Sequence, residues 1–130
     1  MERLFFLLSG AYGFLGVALG AFGAHGLKSR LGGLPDGAQR MEWWLTGSQY
    51  HLIHALALAL AAHLAARTGS TAATVAGFCF AGGVLFFSGS LYVMTLTGTR
   101  ALGAITPFGG LLLLAGWASV IVAALGLAKG

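Results

Sequence analysis

Two histidines stand three positions apart at the head of a long apolar run. In the stretch TGSQYHLIHALALAL, residues 46–60, His51 and His54 fall on neighbouring positions of one helical face. Imidazoles can move protons, ligate metals or hydrogen-bond through either ring nitrogen. A second polar set, Ser88, Ser90, Tyr92 and Thr95, interrupts another apolar run, while His25 and Thr106 flank two more. Such residues could do three kinds of chemistry. A metal shared by His51 and His54 at i, i+3 needs carboxylates from facing helices, and Glu2, Asp36 and Glu42 all lie outside the apolar runs. Acyl transfer at Ser88 or Ser90 needs an acid to orient its base, and the runs contain none. Hydrogen bonding, between helices or to a bound solute, needs nothing beyond what is present. No catalytic residue, metal ligand or cofactor is therefore assigned, and an enzyme acting on lipid ranks last among the readings.

The elements that must position these residues follow from composition. The chain of 130 residues is 58% hydrophobic and 8% charged, with a mean hydropathy of +0.88. A soluble domain carries about 25% charged residues, so lipid is the expected solvent. A membrane span needs about 20 apolar residues, and the stretches 4–24, 45–66, 71–97 and 106–127 meet that length. This predicts an all-α integral membrane protein: a compact four-transmembrane-helix bundle with both termini on the same side. It is read as one membrane domain over 1–130, with a polar loop at 25–44. The first apolar run is longer than that of a signal peptide and is followed by three more spans, so it is kept as a span. Cys79, alone in the third span, is expected to be a buried structural thiol.

Spacing also predicts depth. Span two enters from the side carrying loops 25–44 and 98–105, which puts His51 and His54 about 9–14 Å past Leu45. Ser88, Tyr92 and Thr95 share one face of span three. Thr106 and Pro107 are a helix-start signal for span four. All four helices are thus expected to bring polar groups to one leaflet, with little besides Ser9, Tyr12 and His63 in the other. An imidazolium is costly in hydrocarbon, so both histidines of span two are expected to be neutral at pH 7. Small residues form two stripes, Gly13, Gly16 and Gly20 in span one and Gly77, Ala81 and Gly89 in span three, which are expected helix-packing faces.

The net charge of +4 is scattered over ends and loops. No basic face exists for nucleic acid. Lys28, Arg30, Arg40 and Arg100 lie on the loop side, against Arg3, Arg67 and Lys129 on the other. That difference favours loops 25–44 and 98–105 on the cytoplasmic side of the inner (plasma) membrane.

Four motifs recur in order over nearly the whole chain: GAFGAHGLK at 20–28, TGSQYHLIHALAL at 46–58, FSGSLY at 87–92 and LGAITPFGG at 102–110. Together they resemble the family known as domain of unknown function 423, the YgdD-like and YwdK-like inner-membrane proteins with transmembrane protein 256 in animals. The resemblance implies a small four-span membrane protein and implies no activity, cofactor or catalytic residue. The motifs overlap the polar set, at His25, Gln49, Tyr50, His51, His54, Ser88, Ser90, Tyr92, Thr106 and Pro107. These residues without Pro107, and with Thr95, are the candidate ligand-binding cluster. The expected function is a binding or permeation module for a small polar or anionic solute, through a His/Tyr/Ser vestibule in one leaflet. The alternative is a structural or assembly subunit packing with itself or a larger membrane complex through Gly/Ala-rich faces. Expected partners are membrane lipid, a small solute and, on the alternative, further copies of the chain.

Overall fold

The computed structural model describes residues 1–127; Lys129, used in the charge comparison above, lies outside them. Helix α1 (Glu2–Phe22) continues through a wide π-type turn (Gly23–Leu27) into the short α2 (Lys28–Leu31). After a turn at 32–36 come α3 (Gly37–Thr68), α4 (Thr71–Thr97), a tight 3-10 turn (Arg100–Ala104) and α5 (Thr106–Leu125). The segments Glu2–Leu31, Gly37–Thr68, Thr71–Thr97 and Arg100–Leu125 are each long and apolar enough to cross a membrane.

Local chemistry sets the helix ends. Ser70 accepts a hydrogen bond from the Ala73 amide and opens α4. Gly69 and Gly98, both at positive φ, close α3 and α4 in left-handed caps. The segment 25–44, expected as a polar loop, is helical apart from 32–36. The reason lies at the start of α3. Asp36 sits at the cap position and pairs with Arg40 one turn on, at 3.6 Å, so the helix begins at Gly37. There a Cβ would collide with the Leu31 carbonyl, and glycine alone allows the chain to reverse so closely. At the start of α5, Pro107 stands in the first turn, where its missing N–H costs nothing. Thr106, expected to cap that helix, instead turns its hydroxyl to Ser90.

Successive spanning helices run antiparallel. Helices α3 and α4 form the central pair, with α1 packed chiefly on α3 and α5 chiefly on α4. Small residues make these approaches possible. Gly16 lies under Leu52, Gly20 under Ser48 and Gly23 under the Trp44 indole. Gly77 seats the Phe5 ring, Gly83 seats Leu113, and Gly116 seats Phe80. Ala81 presents its carbonyl to the Tyr12 hydroxyl at 3.0 Å. Gly13 and Gly89 differ from the other small residues, because open space stands over both. Gly13 sits at the edge of the α1 contact face, and Gly89 borders a gap between α1 and α4. Phe5, Leu58, Phe80 and Leu113, interleaved with Ala57, Ala61 and Ala76, make the main core. Leu7, Phe14, Leu56, Leu85, Phe108, Leu114 and Ile121 face outward, as a surface solvated by acyl chains requires.

Among these helix–helix contacts Gly109 is the least forgiving, because its missing Cβ leaves room for the Phe87 backbone rather than for a movable side chain. Gly109→Ala is expected to destabilise the fold by about 1–3 kcal/mol through forced separation of α4 and α5. Gly10→Ala, which meets open space, is expected to leave stability unchanged or slightly raised. Thermal unfolding of both variants in one detergent compares them directly.

Candidate functional site

The polar side chains fall along the α3–α4 seam and its flanks. At one end Arg40 donates from Nε to the Thr95 carbonyl (2.7 Å) and from Nη2 to the Leu96 carbonyl (3.1 Å). A cation thereby satisfies the last carbonyls of α4, where the helix dipole is negative. Thr95 answers by donating its hydroxyl to the carbonyls of Arg40 (3.0 Å) and Leu91 (2.8 Å). Seven residues deeper into α3, Ser88 donates to the Gly47 carbonyl at 2.7 Å and is fully buried. On the α5 side Ser90 gives its one hydrogen to the Phe87 carbonyl (2.9 Å). Thr106 therefore donates to Ser90 Oγ, at 2.6 Å.

The histidines lie deeper still. His54 is about 21 Å from Arg40 and about 20 Å from Arg67 along the helix, at a rise of roughly 1.5 Å per residue. The spacing from Leu45 placed both imidazoles in one half of the bilayer. In α3, which runs from Gly37 to Thr68, they lie near the middle of the helix. They also diverge. His54 points to α5, where the Trp117 indole donates to Nε2 at 3.0 Å, and its Nδ1 meets the Tyr50 carbonyl at 2.7 Å. An indole nitrogen only donates and a carbonyl only accepts. His54 is thus held as the neutral Nδ1–H tautomer with no free ring nitrogen.

His51 points to α1 and α4. Its Nδ1 pairs with the Tyr92 hydroxyl at 2.9 Å, and the Tyr12 ring stands edge-on at 5.7 Å. The side chain is 5% exposed. Its Nε2 is buried and makes no well-aligned hydrogen bond, although the Tyr12 main chain lies close to the ring. Beside it lies a cavity of about 160 Å³ bounded by Tyr12, Leu15, Leu19, Val84, Gly89 and Tyr92. A groove of about 530 Å³ runs along His54, Tyr50, Phe87 and Trp117 on the other flank, but there both imidazole nitrogens are already occupied.

The proposed cluster is therefore not one constellation. His51, Tyr92 and Ser88 line one cavity, and His54 and Tyr50 line another. Ser90 with Thr106, and Thr95 with Arg40, are separate pairs. His25 is exposed in the π-type turn, and Gln49 is exposed on the outer side of α3. Among the described residues no three His, Cys, Asp or Glu side chains gather as a metal site. Spacing marked Ser9 and Tyr12 only as polar groups of the other leaflet, and gave Arg40 and Trp117 no partner. Ser9 donates to the Ala55 carbonyl at 2.8 Å and ties α1 to α3. Trp117 carried a usable signal, since an indole N–H in mid-span must find an acceptor.

A chain of four membrane-crossing helices with His51, His54 and most mid-span hydroxyls turned inward is a small multi-pass membrane protein. It belongs to the family described as protein of unknown function (DUF423), which it matches over residues 19–110. It is 43% identical over 123 residues to the UPF0382 membrane protein YwdK of Bacillus subtilis, covering 94% of this chain and 96% of that one. It is 41% identical over 122 residues to the UPF0382 membrane protein SH2409 of Staphylococcus haemolyticus, covering 92% and 93%. To the UPF0382 inner membrane protein YgdD of Escherichia coli K12 it is 38% identical over 128 residues, covering 98% and 94%. No solved structure matches it.

Trp117→Phe keeps the ring but removes the donor to His54. The variant is expected to lose about 1–3 kcal/mol of stability from the unmet Nε2 lone pair. The ¹⁵N spectrum at pH 7 should show His54 protonated at Nδ1 in the parent protein. An Nε2–H tautomer there contradicts the assignment.

Proposed function

We propose that this protein is a binding module of the inner (plasma) membrane. Its ligand is a compact neutral molecule with one hydrogen-bonding group on an apolar body, reached sideways from the bilayer. The feature that carries the reading is the cavity between α1 and α4 with the His51 ring on its wall, whose Nε2 is buried behind that wall without a well-formed hydrogen bond. A buried polar atom without a partner costs about 1–3 kcal/mol, and a ligand that supplies the missing bond recovers part of it. The Tyr92 hydroxyl can donate to Nδ1 or accept from it. Nε2 is accordingly an N–H donor or a lone-pair acceptor, and an alcohol on the ligand satisfies either form.

The expected solute narrows on this geometry. No cationic side chain lines the cavity, which argues against an anion. Further along the α3–α4 seam Arg40, Ser88 and Thr95 are engaged in hydrogen bonds, which favours binding over permeation. In this reading both termini share one side of the membrane, and loops 25–44 and 98–105 face the cytoplasm by their lysine and arginine content.

The test uses 1-hexanol as probe, with the protein ¹⁵N-labelled at histidine in lipid nanodiscs. Saturable movement of the His51 Nε2 resonance, with His54 unmoved, is the expected result. Gly89→Leu puts a side chain into the cavity from a position where a Cβ meets open space, and should abolish the response. A response that survives Gly89→Leu, or none in the parent protein, ends the proposal.

A further inference from the structure

Three of the four spanning helices present apolar faces to lipid. On α1 these residues include Leu7, Phe14 and Val17; on α4, Phe78, Leu85 and Val93; on α5, Phe108, Leu111, Leu114 and Ile121. Ser119, the exposed hydroxyl of α5, returns its hydrogen to the Ala115 carbonyl of its own helix. Helix α3 differs. Its outer face runs Thr46, Gln49, Ile53, Leu56 and Leu60, at alternating spacings of three and four, with Ile53 46%, Leu56 74% and Leu60 38% exposed. Second in that run stands the Gln49 carboxamide, exposed and absent from every side-chain hydrogen bond of the described residues. It lies about 13 Å along the helix from Arg40, well inside the span. A carboxamide facing acyl chains has no water to satisfy two N–H donors and a carbonyl.

We infer that this face is a homodimer seam, in which the Gln49 carboxamides of two copies hydrogen-bond to each other across a two-fold axis along the membrane normal. The occupant is a second copy because the amide is self-complementary: each supplies the donor and the acceptor that the other lacks. In a parallel pair Gln49 meets Gln49. In an antiparallel pair centred on the same run it would meet leucine and stay unsatisfied. Alternation of three and four is also the spacing at which two helices keep one seam in contact at a shallow crossing angle. A single polar residue in such a seam fixes register, and in lipid an apolar stripe alone supplies little drive to associate. The seam does not involve the cavity at His51 and stands or falls apart from it.

Single cysteines in a Cys79→Ser background, oxidised in native membranes, test the seam. Ile53→Cys, Leu56→Cys and Leu60→Cys are expected to give disulfide-linked dimers, while Leu85→Cys on α4 and Leu111→Cys on α5 remain monomeric. Adding Gln49→Ala to Leu56→Cys should lower the dimer fraction about threefold to tenfold, and Gln49→Asn should restore most of it. Gly89→Leu should leave it unchanged, which separates this result from that of the cavity. Equal cross-linking at Leu85→Cys, an adduct to a protein of another mass, no dimer at all, or indifference to Gln49→Ala would each overturn the seam.

Discussion

The register of α3 against α4 is the constraint from which the other positions follow. It is held at several levels by hydrogen bonds: Arg40 to the Thr95 and Leu96 carbonyls, Ser88 to Gly47 and, through the longer reach of a tyrosine, His51 to Tyr92. Each such bond is worth about 0.6–2 kcal/mol between membrane helices. Their combined effect is larger, because a slide of one helical turn breaks all of them at once. Water is not at hand to take over the released donors and carbonyls. Arg40 adds directionality, since a guanidinium at the C-terminal end of α4 is favoured by the helix dipole and at the other end is not.

Once that pair is in place, small residues decide where the outer helices dock. Gly16 and Gly23 admit Leu52 and Trp44 on one flank; Gly83, Gly109 and Gly116 admit Leu113, the Phe87 backbone and Phe80 on the other. Close packing of this kind replaces the hydrophobic drive that is missing between helices in lipid. Helix α1 docks on α3 and leaves a gap towards α4, into which Gly89 projects nothing. The cavity at His51 is thus a consequence of which neighbour α1 prefers.

His51 and His54 show how little residue type alone specifies. They share a helix, a depth and nearly a face, yet one is saturated and the other is not. His54 is pinned between an obligate donor and an obligate acceptor, which makes it a structural link between α3 and α5. His51 has one pairing and one nitrogen without a well-formed hydrogen bond. Gln49, two positions before it, is the outward counterpart: a polar group at similar depth, without a partner, on the opposite side of the same helix. One unmet group looks into the fold and the other away from it.

Much of this molecule was legible without coordinates. The lipid solvent, the four spans and the family follow from hydropathy, length and four ordered motifs, because these properties are local and additive along the chain. That most mid-span hydroxyls, with His51 and His54, would turn inward is dictated by the cost of leaving them unpaired in hydrocarbon. The role of Arg40 was not legible, because the α4 carbonyls it binds lie more than fifty positions away in sequence. The division of the polar set into separate pairs, the Trp117 link and the outward Gln49 all depend on how each helix is rotated about its own axis. Rotation is decided by side chains meeting across helices, where Gly77 receives Phe5 and Gly116 receives Phe80. Periodicity names the faces of a helix, but only its packed neighbours choose which face looks in.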